Sequence, residues 1–217
     1  MDMTLESCRL FVDMLASATP SPGGGGAAAL VGAIGTALGH MASNLTVGKK
    51  KYADVQDQIL ALNTEFMCLE KQLLDQVEAD EKGFLPLAAA YRLPKDAPGY
   101  DRFMDEATMD ACCVPLKIME LCCQALDCID VVARKGSRLA VSDAGSGAVC
   151  CKAALQAASL TVFINTKSLK NRDAARQTDE KVWHMLDTYG ALADKIYLEV
   201  CRSFDQQGGR NGEITTG

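Results

Sequence analysis

Leu62, Phe66, Leu69, Leu73, Val77, Asp80, Phe84, Leu87 and Tyr91 advance in steps of three or four, and one of the nine is a carboxylate. Asp80 therefore occupies a slot in an apolar stripe. Burying a carboxylate costs free energy unless it is paired or hydrogen-bonded, and burial raises its pKa. A carboxyl group whose pKa has been raised suits proton transfer to or from a reacting nitrogen or water. The structural alternative is an ion pair, for which Lys49, Lys50, Lys51, Arg92 and Lys95 are the candidate partners. Periodicity alone leaves both readings open.

Two further constellations bear on chemistry. Gly23, Gly24, Gly25 and Gly26 precede a long apolar segment, where a helix start would offer unpaired N–H groups and the positive end of its dipole to an anion or a carbonyl edge. The run lacks the GxGxxG and GxxxxGK[ST] contexts, so dinucleotide and P-loop binding are not supported, and a flexible turn is an equal reading. Ser142 and Asp143 have the composition of an N-cap pair. Ten cysteines include the adjacent pairs Cys112-Cys113, Cys122-Cys123 and Cys150-Cys151, none with CxxC spacing. They read as small buried apolar residues, with a metal site as the minor alternative.

The elements that must position these groups are helical throughout. A short amphipathic helix over residues 4–17 ends before Thr19-Pro20-Ser21-Pro22, because each proline pushes its predecessor out of the α region. A second helix runs from about Gly26 to Thr46, with Gly32, Gly35 and Gly39 on one side for close backbone approach. The Asp80 helix is third, with Pro86 expected to kink it, and Leu93-Pro94-Lys95-Asp96-Ala97-Pro98-Gly99 breaks the chain. A fourth follows from Phe103 through Val132, carrying Pro115 and closed by Gly136. The fifth opens at Ser142-Asp143 and extends towards Ile164, and the sixth runs from Val182 through Phe204. The expected fold is all-α: a single-domain bundle of about six main helices around the Gly/Ala-rich one, spanning 1–205, with a mobile tail over 206–217.

With 217 residues the chain is long enough to bury a core without metals or disulfides. Its formal charge of −6 argues against non-specific nucleic-acid binding, which needs a basic face. Residues 18–48 contain no Asp, Glu, Lys or Arg and are long enough to span a bilayer. Their Gly and Ala content, the two prolines and polar His40, Ser43, Asn44 and Thr46 fit a buried core helix better. The acidic N-terminus does not have the form of a signal peptide. A cytoplasmic protein with neither a membrane nor a nucleic-acid partner is expected.

Thr19-Pro-Ser-Pro-Gly-Gly-Gly-Gly-Ala-Ala-Ala-Leu-Val-Gly-Ala-Ile-Gly-Thr-Ala-Leu-Gly39 and then Leu45-Thr-Val-Gly-Lys-Lys-Lys-Tyr52 resemble the opening of the formiminotetrahydrofolate cyclodeaminase and methenyltetrahydrofolate cyclohydrolase family. Asp80 with Phe84, Tyr91-Arg-Leu-Pro-Lys95, Val114-Pro-Leu116, Ser142-Asp-Ala-Gly145 and Ile164-Asn165 resemble later family motifs, in order, over residues 3–170. The resemblance implies an all-helical homodimer acting on a tetrahydrofolate derivative, without a tightly bound cofactor or a metal. It places Asp80 as the acid–base group. It further implies that Gly23 to Gly26, Ser142 and Asp143 contact the pterin or the one-carbon unit, that Lys49, Lys50, Lys51, Tyr91, Arg92 and Lys95 serve the folate and its glutamate carboxylates, and that Asn165 hydrogen-bonds the ring.

Two reactions follow from the resemblance. In the cyclodeaminase, N10 attacks the formimino carbon on N5 and ammonia leaves; in the cyclohydrolase, water adds to the methenyl carbon to give the 10-formyl product. The cyclodeaminase is the first expectation, the cyclohydrolase the second, and a non-catalytic folate-binding or helical interaction protein the third. The chain departs from the family pattern at Gly26, where a serine is usual, at Gly136-Ser137-Arg138-Leu139 in place of Gly-Asn-x-Asn, and at Ser146-Gly147.

Overall fold

The Gly/Ala-rich helix is the hub of the computed structural model, which describes residues 3–19 and 21–205. Six α-helices follow one another: α1 (Cys8–Leu15), α2 (Gly24–Asn44), α3 (Gln56–Ala90), α4 (Tyr100–Lys135), α5 (Val141–Ser168) and α6 (Arg172–Asp205). No strand occurs among the described residues. Pro20 and the expected tail over 206–217 lie outside the described residues.

Helix α2 packs most extensively on α5 and α3, and α4 closes a further side. Its glycines account for how closely these neighbours approach. A Cβ on Gly35 would lie 2.8 Å from the carbonyl oxygen of Gly147, and one on Gly147 would lie 2.7 Å from that of Gly35, so α2 and α5 touch backbone to backbone. Gly147, one of the family departures, is thus half of a reciprocal contact. At Gly39 the intruders are side chains, Ile129 of α4 at 2.5 Å and Phe66 of α3 at 3.0 Å. The glycine contacts Gly32–Ala154, Gly35–Cys151 and Gly39–Gly147 run in opposite directions along the two chains, so α2 and α5 are antiparallel.

Helix α3 sinks Phe66, Leu69, Leu73 and Val77 into the core, and each buried side chain of this size contributes about 1.5–3 kcal/mol. Cys112, Cys122, Cys123, Cys128 and Cys151 are buried as expected, but Cys8, Cys68 and Cys113 are exposed. Burial pushes the Cys112 thiol up to about 11 and Cys151 to about 12, which suits packing rather than nucleophilic chemistry. Gly24–Asn44 and Arg138–Ser168 are long and apolar enough to cross a membrane by length and composition.

The structure corrects several boundaries. The first helix is shorter than 4–17, and a separate 3-10 turn covers Met3–Leu5. Helix α3 begins at Gln56, six residues before Leu62, while Pro86 and Pro115 lie inside their helices as the sequence placed them. Ser142 and Asp143 are not caps: the helix starts at Val141, behind a 3-10 turn over Arg138–Ala140, and the cap position is Ala140 with no side-chain bond. Helix α6 starts at Arg172, a full ten residues before Val182, and Asn171 Oδ1 accepts from the Ala174 amide at 3.1 Å as its cap.

Candidate active site

The first amide groups of any helix have no partner within it, and a side-chain oxygen at the N-cap normally accepts from one of them. Helix α2 begins with Gly23 at its N-cap, in extended conformation and with no side chain to offer. Asp80 supplies the missing acceptor from α3: the Gly26 N–H donates to Asp80 Oδ2 at 2.8 Å. Antiparallel pairing of α2 and α3 brings these residues together across 54 positions of sequence. Gly25 has to be glycine here, because a Cβ would lie 2.1 Å from Asp80 Oδ1 and 2.5 Å from its Cγ. Gly26 is less constrained, with Val77 O at 3.4 Å the nearest atom to an added Cβ. The Cβ of a serine has room at this position.

Asp80 is half-buried rather than enclosed, and no ion pair to it occurs among the described residues. Burial raises its pKa above the usual carboxylate value, while the Gly26 amide pulls the other way and only partly offsets it. The carboxylate therefore combines a fixed orientation with a readily regained proton. It opens into a cavity of about 270 Å³ lined by Ser21, Gly23, Gly24, Gly25, Glu81, Phe84, Leu85 and Thr161. Phe84 and Leu85 are 46% and 60% exposed, so they form an apolar rim where a planar ring could stack. Phe84 is in the motif with Asp80, and Glu81 and Leu85 follow from helical spacing. Thr161 sits on α5 and carries no signal of its own in the sequence.

The other expected site residues divide by position. Tyr91, Arg92 and Lys95 are exposed beyond the end of α3, at the Asp80 end of the molecule but outside the cavity lining. Asn165 is also at this end, with its Nδ2 donating to the Ala111 carbonyl at 3.3 Å, a bond between α5 and α4.

Lys49, Lys50, Lys51, Ser142 and Asp143 lie at the opposite end. Helix α2 has 21 residues and separates its two ends by about 30 Å. At this far end Lys49 Nζ donates to Ser137 Oγ at 2.9 Å, the Ser137 amide to Thr46 Oγ1 at 2.8 Å, and the Arg138 amide to the Tyr52 hydroxyl at 3.1 Å. That amide, with Lys51 and Lys49 nearby, holds the Tyr52 phenol below its usual pKa. The altered Gly136-Ser137-Arg138-Leu139 segment is thus tied to the lysine loop. Ser142 lines a separate groove of about 410 Å³ between α5 and α6, with Ser146, Val149, Tyr197 and Phe204.

The fold and the site define a class of protein: an all-helical bundle in which one helix presents a carboxylate to the glycine-rich start of another. The family described as formiminotransferase-cyclodeaminase matches residues 7–184, and the chain belongs to it. Over 199 residues it is 36% identical to the methenyltetrahydrofolate cyclohydrolase of Methylorubrum extorquens, covering 90% of this chain and 96% of that protein. It is 29% identical to the formimidoyltransferase-cyclodeaminase of Rattus norvegicus over 83% of this chain, and spans only about a third of that protein, 34%. The solved formiminotetrahydrofolate cyclodeaminase of Thermotoga maritima has the same fold, with a TM-score of 0.80 at 24% identity, over 94% of this chain and 98% of that one.

Proposed function

We propose that the protein is a folate one-carbon enzyme, with Asp80 moving protons at the carbon that bridges N5 and N10 of tetrahydrofolate, and that its reaction is methenyltetrahydrofolate hydrolysis. The observation that carries the chemistry is the Asp80 carboxylate, fixed by the Gly26 amide, raised in pKa by burial and facing a cavity with an apolar rim. Asp80, as the carboxylate, takes a proton from water as the oxygen adds to the methenyl carbon. It returns that proton to N5 as the N5–carbon bond breaks, leaving the formyl group on N10. Water's second proton goes to solvent. Hydrolysis is preferred to the deamination expected first because the relative named a cyclohydrolase is 36% identical to this chain, whereas the rat and Thermotoga maritima cyclodeaminases are 29% and 24% identical.

The second reading is the cyclodeaminase, favoured by the family description and the Thermotoga maritima likeness. The same carboxyl group would protonate departing ammonia and accept the N10 proton. In both readings Arg92 and Lys95, exposed at the Asp80 end, attract the first glutamate carboxylate, and the basic loop Lys49, Lys50 and Lys51, a helix length away, serves the far carboxylates of a polyglutamylated substrate.

The decisive experiment offers the purified protein 5,10-methenyltetrahydrofolate and 5-formiminotetrahydrofolate separately. Methenyl absorbance falling faster than in buffer supports hydrolysis. Ammonia release with rising methenyl absorbance transfers the assignment to the cyclodeaminase. Folate binding with neither change defeats the catalytic reading.

A further inference from the structure

The second half of α3 carries its acids in pairs, with one exception. Glu70 meets His40 at 2.8 Å, Asp75 meets Lys71 at 2.7 Å, Glu78 meets Lys82 at 2.9 Å and Asp80 accepts from the Gly26 amide. Glu81 has no ion pair or hydrogen bond among the described residues. An exposed acid on a helix normally finds its cation three or four positions away. Around Glu81 those positions are Val77, Glu78, Phe84 and Leu85, and the adjacent Lys82 is held by Glu78.

This unpaired carboxylate lines the same cavity as Asp80. Successive residues of a helix point about 100° apart, so the two carboxylates address the cavity from different sides. Asp80 is turned to the start of α2, and Glu81 stands at the exposed side with Phe84 and Leu85. The remaining lining, Ser21, Gly23, Gly24, Gly25 and Thr161, brings no Lys, Arg or His. Two carboxylates without a cation between them repel an anion and attract a positive group. The face of an aromatic ring such as Phe84 favours positive charge as well.

We propose that Glu81, backed by the Phe84 ring, is a specificity-determining residue that recognises the positive charge of the one-carbon unit. The inference rests on the folate reading of the cavity and gives its two carboxylates separate duties, as their different surroundings allow. In 5,10-methenyltetrahydrofolate the bridge is a cation delocalised over N5, the carbon and N10. Addition of water and cleavage of the N5–carbon bond leave a formyl amide with no charge at that place. Glu81 therefore holds the substrate and not the product. Its attraction fades as water adds to the bridge, so it contributes to binding rather than to lowering the barrier.

The test compares two folates that differ in the charge of the one-carbon unit. In Asp80→Asn protein, which leaves the methenyl compound unconsumed, dissociation constants are measured for 5,10-methenyltetrahydrofolate and for 5-formyltetrahydrofolate, whose formyl group is neutral. Adding Glu81→Gln should weaken the methenyl compound about two- to fivefold and leave the 5-formyl compound unmoved. Glu81→Lys should weaken the methenyl compound further, and the preference for it should shrink at high salt. Both folates carry the same glutamate carboxylates, so a change in overall charge or a local distortion moves the two constants together, whereas contact with the bridge moves one. With Asp80 intact, Glu81→Gln should raise KM for hydrolysis by the same factor without lowering kcat. The equilibrium constants decide under either reaction. An unchanged methenyl constant, or an equal change for both folates, overturns the assignment and leaves the folate reading standing. Protein that neither binds nor turns over either folate sinks both.

Discussion

The Gly26 amide and the Asp80 carboxylate, 2.8 Å apart, cap one helix with a side chain from another. One group thereby holds a structural role and a chemical one, and the two separate by substitution. Asp80→Asn keeps an acceptor oxygen for Gly26 but cannot exchange a proton. It should fold with nearly wild-type stability and bind folate, while kcat falls about 10²–10⁴-fold. Asp80→Ala also loses the cap and should unfold more easily by about 0.5–2 kcal/mol in urea titration. Wild-type kcat in the asparagine variant would remove Asp80 from the chemistry.

Burial raises the Asp80 pKa, so the acidic limb of the kcat profile should lie above the ordinary carboxylate range and vanish in Asp80→Asn. Stability carries the opposite sign. Between the unfolded and the raised folded pKa the native state binds more protons than the unfolded one, so this group's contribution falls as pH rises through that window. Urea midpoints of wild type and Asp80→Asn, compared across pH, should diverge in favour of asparagine at the upper side.

Gly25→Ala forces a methyl group to 2.1 Å from Asp80 Oδ1, so the carboxylate has to move. Turnover should fall by at least about tenfold, since a misplaced catalytic group can cost about 10². A Cβ on Gly26 meets nothing closer than 3.4 Å, so Gly26→Ser should keep both fold and turnover. Equal activity in the two variants would show that the carboxylate's position is not critical.

At the crossing of α2 and α5, Gly35→Ala brings its methyl group to 2.7 Å from Cys151 Sγ and 2.8 Å from Gly147 O. Backbone cannot yield as a flexible side chain does, so the variant should lose about 1–3 kcal/mol in chemical denaturation. An unchanged midpoint would mean that the helices can separate without cost.

Lys50→Ala and Lys51→Ala remove exposed cations with no carboxylate partner among the described residues. Each should raise KM for a polyglutamylated folate by up to about fivefold, less at high salt, with kcat unchanged. Identical KM values for mono- and polyglutamylated substrate in wild type and variants would detach the loop from substrate binding.

The sequence by itself determined the helices that bury a continuous stripe, because a 3.6-residue repeat of apolar side chains has one way to reach a core. It also marked Asp80, the charge in that repeat, and the small-residue side of α2. It missed the first ten residues of α6, whose polar composition hides the period, although Asn171 signalled the start. Only the tertiary structure decided what Asp80 meets, since its partner is a backbone amide, and every residue but proline has one. It likewise decided that the lysine loop and Ser142-Asp143 stand a helix length from that carboxylate. Motif order along a chain carries no information on which ends of antiparallel helices coincide; packing direction sets that.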